Sequence, residues 1–455
     1  MNAMSPYPIP EAAIDVLEPG ARRRPRRDAL RMEKIEFSPA SLESYAFAQW
    51  GPVLHDAMTV AAAAEYADRM TRRPARGWTR RFQIRIPVYD LPRWVAPETT
   101  AALVGALELL TGDRWVFEFV QRRAAFTSPE LSQFDFGPET RAVIAYSDGM
   151  DSRAVAGLVG KELNGKLVKI RLGTKAPRRR PGQPFVTPFA GIPYKLDVAG
   201  DNRESSARNR GFKFASISGI AAYLAGASEV IIPESGQGAL GPSLVGVAHG
   251  YPDYRNHPLF AAAMERYFKI LFEREIRFRF PRLWYTKGQT LEAYVSTVRS
   301  TDWADTRSCW QGSRTVSVAG KRRQCGVCAA CMLRRLSVHA AGLEEPPETY
   351  VAEDLSASRL ADAVNPSFGG LTQKFANYAD AGFLHLDHLA DMASAPSRRQ
   401  VSVYAARLAP TLSLSVAEAE QSLLALLEQH QTEWEAFMSS LGNRSFLASR
   451  FRAVR

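Results

Sequence analysis

Residues 143–156 read Val143-Ile144-Ala145-Tyr146-Ser147-Asp148-Gly149-Met150-Asp151-Ser152-Arg153-Ala154-Val155-Ala156. A short apolar run ends in a small polar turn, and a helical pattern follows at once through Ala154, Val155, Leu158, Val159 and Leu163. The spacing predicts a strand, a tight loop and a helix N-terminus. Such a loop aims several backbone N–H groups at one point, and the helix dipole adds partial positive charge there. An anion the size of pyrophosphate suits that geometry. Gly149 lets the backbone approach a ligand, Ser147 and Ser152 supply hydroxyls, and Asp151 can hold a Mg2+ ion bridging phosphate oxygens. The plainer alternative is an ordinary turn into a helix capped by Ser and Asp. No Gly-Lys-Ser/Thr follows and no G-x-G-x-x-G is present, so neither a Walker A loop nor a dinucleotide fingerprint is at hand.

The remaining chain sets the bounds around this loop. Its 455 residues exceed one core and imply two or three domains. With 46% hydrophobic and 23% charged residues it has the composition of a soluble globular protein. No apolar run approaches a membrane span and no signal core is seen, so the simplest expectation is a cytoplasmic protein without a membrane partner. The net charge of +11 admits a nucleic acid or an anionic small molecule. Only 11 of the 58 basic residues are Lys, and they are scattered, which points to compositional bias; direct nucleic-acid binding is the less favoured reading.

Taken in order, residues 1–35 read as a disordered tail, with Pro6, Pro8, Pro10, Pro19 and the run Arg22–Arg27. Residues 36–138 read as a small N-terminal α/β domain. Phe82–Val88 alternates like a half-buried strand, Thr99–Leu110 has helical spacing, and Trp115–Val120 is a further strand. Residues 139–345 alternate strand and helix, which implies an open parallel sheet covered by helices. Strands are expected near 142–146, 167–172, 193–198 and 229–233, and helices near 153–163, 211–226 and 259–273. Ligands bind such sheets at the carboxyl ends of the strands. The arginine-rich loop Lys175–Gly182 can close over phosphates or simply be solvated. Residues 346–455 read as a helical C-terminal region, with amphipathic spacing from Ser415 to Met438.

All four cysteines lie between Cys309 and Cys331, as C-x15-C-x2-C-x2-C. Four thiolates complete a closed tetrahedral zinc shell, and two-residue gaps turn neighbouring thiols toward one ion. An iron–sulfur cluster uses similar ligands, but structural zinc is the expectation. With every Cys on the metal, none remains for sulfur transfer. Elsewhere, polar residues collect in loops: Arg208 and Asn209, Glu234, then Asp253, Arg255 and His257, and Thr286-Lys287. Asp, Asn and Arg supply the donors and acceptors that the edges of a guanine-like base require, and Arg255 or Arg208 can pair with a substrate carboxylate. Taken singly, each residue also suits a turn or cap.

The loop resembles the Ser-Gly-Gly-x-Asp-Ser signature of the PP-loop ATP pyrophosphatases, with Asp148 where that group usually has Gly. The order of the Ser147–Ser152 loop, Arg208-Asn209, Gly226-Ala227, Tyr251-Pro252-Asp253, Arg255, Thr286-Lys287 and Cys309-Trp310-Gln311-Gly312 through Cys331 resembles the 7-cyano-7-deazaguanine synthases. The resemblance covers roughly residues 140–343. It implies an adenine nucleotide alpha hydrolase-like sheet with a zinc module, and an ATP-dependent carbon–nitrogen ligase. Such a ligase adenylates 7-carboxy-7-deazaguanine, ammonia then gives the amide, and a second ATP leads to the nitrile. Carried over, Ser147, Asp148, Gly149, Met150, Asp151 and Ser152 bind ATP and Mg2+, and Asp151, Ser152 and Lys287 are catalytic. Arg208, Asn209, Glu234, Asp253, Arg255 and His257 hold the deazaguanine, and Cys309, Cys325, Cys328 and Cys331 bind Zn2+.

The chain departs from that pattern in its added terminal regions, in Tyr254 where the family commonly has Cys, and in Asn256-His257-Pro258. Enlarged relatives of this kind are found in antiphage gene clusters. The resemblance to them implies transfer of the activated deazaguanine to an amine of a partner protein. Ordinary nitrile synthesis for queuosine-type modification is the alternative, and a non-catalytic RNA-binding or scaffold protein of the same fold is a third reading. A homodimer is one open assembly.

Overall fold

A computed structural model describes residues 9–36, 51–126, 140–172, 189–197, 203–204, 208–246, 250–312 and 316–449. The basic loop 175–182 and Ser205-Ser206-Ala207 lie outside the described residues. The architecture is mixed α/β with parallel sheets. Contacts divide the chain into two compact units, each built from segments that interleave along the sequence. One is Met1–Ser147, Leu163–Ile232 and Asp253–Arg279; the other is Asp148–Glu162, Pro233–Pro252 and Phe280–Arg455.

The first unit holds two four-stranded parallel sheets. In one, the strands run in the order Asp28–Arg31, Glu11–Leu17, Arg81–Val88, Arg114–Gln121. Alternation explains it: Phe82, Ile84 and Ile86 are buried, and the register sets Ile14 beside Ile84 and Ile84 beside Phe117. The helix Pro97–Thr111 begins with Pro at N1 and ends at Gly112, whose φ of 68° is the left-handed conformation that favours glycine. In the other sheet the order is Arg277–Arg279, Glu229–Ile231, Ala142–Tyr146, Leu167–Arg171. Helices Pro52–Met70 and Pro97–Thr111 pack on helices Arg210–Leu224 and Pro258–Phe272.

Two expectations are corrected here. The described part of the expected tail, residues 9–35, is not loose: Glu11–Leu17 is an inner strand, with Ile14, Val16 and Leu17 buried. The arginine run that gives the segment its disordered look is what makes the strand tolerable. Arg24 and Arg27 reach the fully buried Asp15 carboxylate at 2.9 and 2.8 Å, and an ion pair is what a buried carboxylate requires. The strand expected at 193–198 shrinks to Lys195–Leu196, which pairs antiparallel with Ile35–Glu36 outside the parallel sheets. Pro193 has no N–H to give a ladder. The short strand Arg277–Arg279 was missed because three residues carry no readable period.

The second unit is mostly helical. Helix Met150–Glu162 packs on helix Lys287–Val298, where Gly157 leaves room for the Tyr294 ring; a Cβ there would sit 2.4 Å from it. Met150, Ala154, Leu291, Tyr294, Trp303 and Val338 form this small core. Helices Gln373–Asp391, Arg398–Leu412 and Val416–Leu441 form the C-terminal bundle. Its last helix starts in a Ser415–Glu418 capping box and buries Leu423, Leu426, Leu427, Trp434 and Phe437 at helical spacing. Among the described residues no helix is long and apolar enough to cross a membrane.

Ile14 is the test of the N-terminal strand. Ile14→Ala is expected to cost about 2–4 kcal/mol, read as a lower urea midpoint in equilibrium unfolding. An unchanged midpoint would return the segment to a tail.

Candidate functional site

Within the second unit, the loop after residue 147 enters the helix Met150–Glu162, and the Gly149 carbonyl accepts the Arg153 N–H at 3.2 Å. Asp148 is exposed and its carbonyl accepts the Arg307 N–H at 2.8 Å. Arg307 in turn donates to the carbonyls of Arg323 and Gln311 at 2.6 and 2.7 Å, which ties the loop to the segment carrying Cys309. Met150 and Ser152 are buried.

Asp151 and Lys287 form a salt bridge with side chains only 11% and 8% exposed. Lys287 reaches Asp151 Oδ2, while the buried Asp151 Oδ1 has no hydrogen-bond partner among the described residues. A buried carboxylate oxygen left open is costly and is what a metal ion or phosphate-bound water would satisfy. Lys287 stands at the start of helix Lys287–Val298, fixed by a Thr286–Gln289 capping box. The structure therefore brings Asp151 and Lys287 together. Glu234 lies half-buried against Gly238, where a Cβ would meet its carboxylate at 2.1 Å.

Sequence reasoning missed what supports this lysine. The Lys287 N–H donates to Gln237 Oε1 at 2.7 Å, Gln237 Nε2 lies 2.8 Å from His430 Nδ1, and Thr286 Oγ1 donates to Glu433 Oε1 at 2.5 Å. The available signal was a single His among leucines on the apolar face of the last helix.

Within the first unit, Arg208, Asp253 and Arg255 form one cluster. Asp253 Oδ2 lies 2.8 Å from Arg208 Nη1 and 2.6 Å from Arg255 Nη2, and Asp253 also accepts the Arg255 backbone N–H at 3.1 Å. Burial opposes the charged carboxylate, but the Arg255 and Arg208 guanidiniums outweigh it and hold the Asp253 pKa down to about 2. Arg208 also lies over the Trp78 ring, 5.3 Å from its centroid. The Asn209 N–H donates to Asp68 Oδ2 at 2.8 Å, and both polar atoms of its buried side chain lack a partner among the described residues. His257 departs from the substrate role expected of it. It is 1% exposed, its Nδ1 accepts the Leu259 N–H at 3.1 Å, and it caps the helix Pro258–Phe272 with its ring edge-on to Tyr254. Ser147 is exposed at the end of the strand Ala142–Tyr146.

The four cysteines converge in the second unit, with all four sulfurs within 4.8 Å of one another. The Cys325 and Cys331 sulfurs are 3.7 Å apart; a tetrahedron with Zn–S bonds of about 2.3 Å has edges of about 3.8 Å. Backbone N–H groups of Cys325 and Gln311 point at Cys309 Sγ, and that of Cys328 at Cys325 Sγ, the donors that thiolates need. Hydrogen bonding from the other three thiols lowers the Cys309 pKa. In the Cys325-Gly326-Val327-Cys328 knuckle, Gly326 takes φ of 84°, and a Cβ there would sit 2.8 Å from the Ala352 carbonyl. The cluster is compatible with a structural zinc ion. Cys328→Ser is expected to drop bound zinc from about one per chain to near zero in elemental analysis; full retention would refute the site.

Residues 207–342 match the sequence model of a family described as Queuosine biosynthesis protein QueC. A 7-cyano-7-deazaguanine synthase of Methanoregula boonei is 32% identical over 98 residues, which is 22% of this chain and 40% of that protein. The chain thus spans about two fifths of the curated relative it matches. No solved structure matches the chain. The matched segment takes in Arg208, Asn209, Asp253, Arg255, Lys287 and all four cysteines, and over it the chain resembles the QueC family of queuosine biosynthesis proteins.

Proposed function

We propose that the chain uses ATP to activate the carboxylate of 7-carboxy-7-deazaguanine, or a close deazapurine, and passes the activated group to an amine of a partner protein in antiphage defence. The observation that carries the ATP-dependent step is the buried Asp151–Lys287 pair at a helix N-terminus, with Asp151 Oδ1 open. The activity for which the Methanoregula boonei relative is named supports the choice of substrate.

In this reading the sheet is of the PP-loop type, and the loop 147–152 cradles the phosphates through backbone N–H groups and the helix dipole. Asp151 would hold Mg2+, which supplies charge neutralisation on the phosphate oxygens when bound. A substrate carboxylate oxygen attacks the α-phosphorus, the bond to the bridging oxygen breaks, and pyrophosphate leaves. Lys287 places a positive charge beside the departing phosphates, where charge develops. The acyl carbon, now bonded to AMP as leaving group, is attacked by an amine nitrogen; AMP departs and the nitrogen loses a proton. Arg208, Asn209, Asp253 and Arg255 supply the donors and acceptors for the deazaguanine, and the Asn209 carboxamide, which has no partner among the described residues, suits a base edge best.

A macromolecular acceptor accounts for the parallel-sheet region before the loop and the helical bundle after the cysteines, because ammonia needs no docking surface. The second reading, nitrile formation from ammonia, is favoured by the name of the relative. Asp151→Asn and Lys287→Met are each expected to lower pyrophosphate release from ATP and 7-carboxy-7-deazaguanine by about 100-fold or more. Mass spectrometry of the same mixtures with ammonium separates the acceptors: free nitrile selects the second reading, and pyrophosphate without nitrile selects the first. Turnover unchanged in both variants would refute the site.

A further inference from the structure

The second unit contains a buried hydrogen-bond chain that no catalytic role has yet absorbed. His430 Nε2 lies 2.9 Å from the Leu386 carbonyl, which only accepts, so that nitrogen carries the proton. His430 Nδ1 is then an acceptor and takes a hydrogen from Gln237 Nε2 at 2.8 Å. This fixes the Gln237 amide with Oε1 toward the Lys287 N–H at 2.7 Å. His430 is 0% and Gln237 2% exposed. One turn further along the last helix, Glu433 accepts from Thr286 Oγ1. The turn between these contacts has no slack: a Cβ on Gly288 would sit 2.8 Å from Ala340 Cβ and 3.2 Å from Glu433 Oε1. Beside Gln237, Gly236 lies so close to Leu426 of the same helix that a Cβ would be 2.4 Å from its Cδ2.

We propose that His430 and Gln237 are positioning residues for Lys287, and that the C-terminal helix Val416–Leu441 serves as the rear wall of the Asp151–Lys287 site. The kinetic part of this inference rests on the proposed pyrophosphate-releasing role of that pair; the placement of Lys287 does not. The direction of every hydrogen bond follows from a neutral imidazole. Burial keeps it neutral by lowering the His430 pKa to about 4. A protonated ring would present a second N–H to the Gln237 amide and force it to turn its own NH2 toward the Lys287 N–H, donor against donor. A shift of the Lys287 backbone moves its ammonium relative to Asp151, and small errors of placement are expensive in a site of this kind.

The test uses the full chain with 13Cε-labelled lysine, with the Lys287 resonance assigned through Lys287→Arg, and pyrophosphate release measured in parallel. His430→Leu and Gln237→Met are expected to move the Lys287 resonance toward those of exposed lysines and to lower kcat by about tenfold, with KM for ATP changed less than about twofold. His430→Gln is expected to keep the wild-type resonance and most of kcat, because an amide can donate to Leu386 and accept from Gln237. Should His430→Leu fail to fold, Gln237→Met carries the comparison. An unmoved Lys287 resonance in both apolar variants overturns the inference, as does His430→Gln behaving like His430→Leu. If the wild-type chain releases no pyrophosphate, the functional reading falls and the Lys287 resonance alone decides the positioning claim.

Discussion

A carboxylate and an ammonium, Asp151 and Lys287, meet where little water reaches them. Burying such a pair is costly unless geometry and further hydrogen bonds compensate, and much of the second unit supplies that compensation. The helix Met150–Glu162 puts Asp151 in its first turn, and the capping box at Thr286 puts Lys287 at the start of the facing helix. Arg153 and Tyr294 both bind Asp302, which straps the two helices together. One buried oxygen of Asp151 has no hydrogen-bond partner among the described residues, and the proposed role in holding a ligand rests on it.

The same unit ties the cysteine cluster to the loop that carries Asp148. Arg307 joins the Asp148 carbonyl to the segment that enters Cys309, and Gln324 Oε1 receives the N–H groups of Ser308 and Cys309 at 2.8 and 3.2 Å. On the other side, Gly382 lets helix Gln373–Asp391 press its backbone onto the knuckle, where a Cβ would be 2.6 Å from the Val327 carbonyl. The cysteine cluster is thus a joint between the candidate nucleotide loop and the C-terminal bundle. Cysteine spacing alone gives the ligands; the joint depends on backbone contacts that spacing does not encode.

Local periodicity made much of the fold legible. The strands around Ile84, Phe117 and Ile144 and the helices around Leu107, Phe268 and Leu427 alternate or repeat with their own period, and they lie close to where the pattern puts them. The strand Glu11–Leu17 was hidden because prolines and arginines surround it, and its one charged inward residue is neutralised by that same arginine run. The sequence left the substrate and capping roles of His257 both open, because capping through a ring nitrogen leaves no motif. His430 was invisible for a different reason: its partner Gln237 lies 193 residues away, and only the folded chain brings them together. Asp151 was legible as a candidate from its loop, whereas Lys287, 136 residues away, was singled out through a family resemblance.

In the proposed reaction a substrate carboxylate attacks the α-phosphorus of ATP at the Asp151–Lys287 site. The decisive experiment supplies 7-carboxy-7-deazaguanine with 18O in its carboxylate and examines the AMP formed in the presence of an acceptor amine. Adenylation predicts one labelled oxygen in the phosphate of AMP, because the bond broken in acyl transfer lies between carbon and that oxygen. Unlabelled AMP, or ADP and phosphate in place of AMP and pyrophosphate, would rule out adenylation of the substrate.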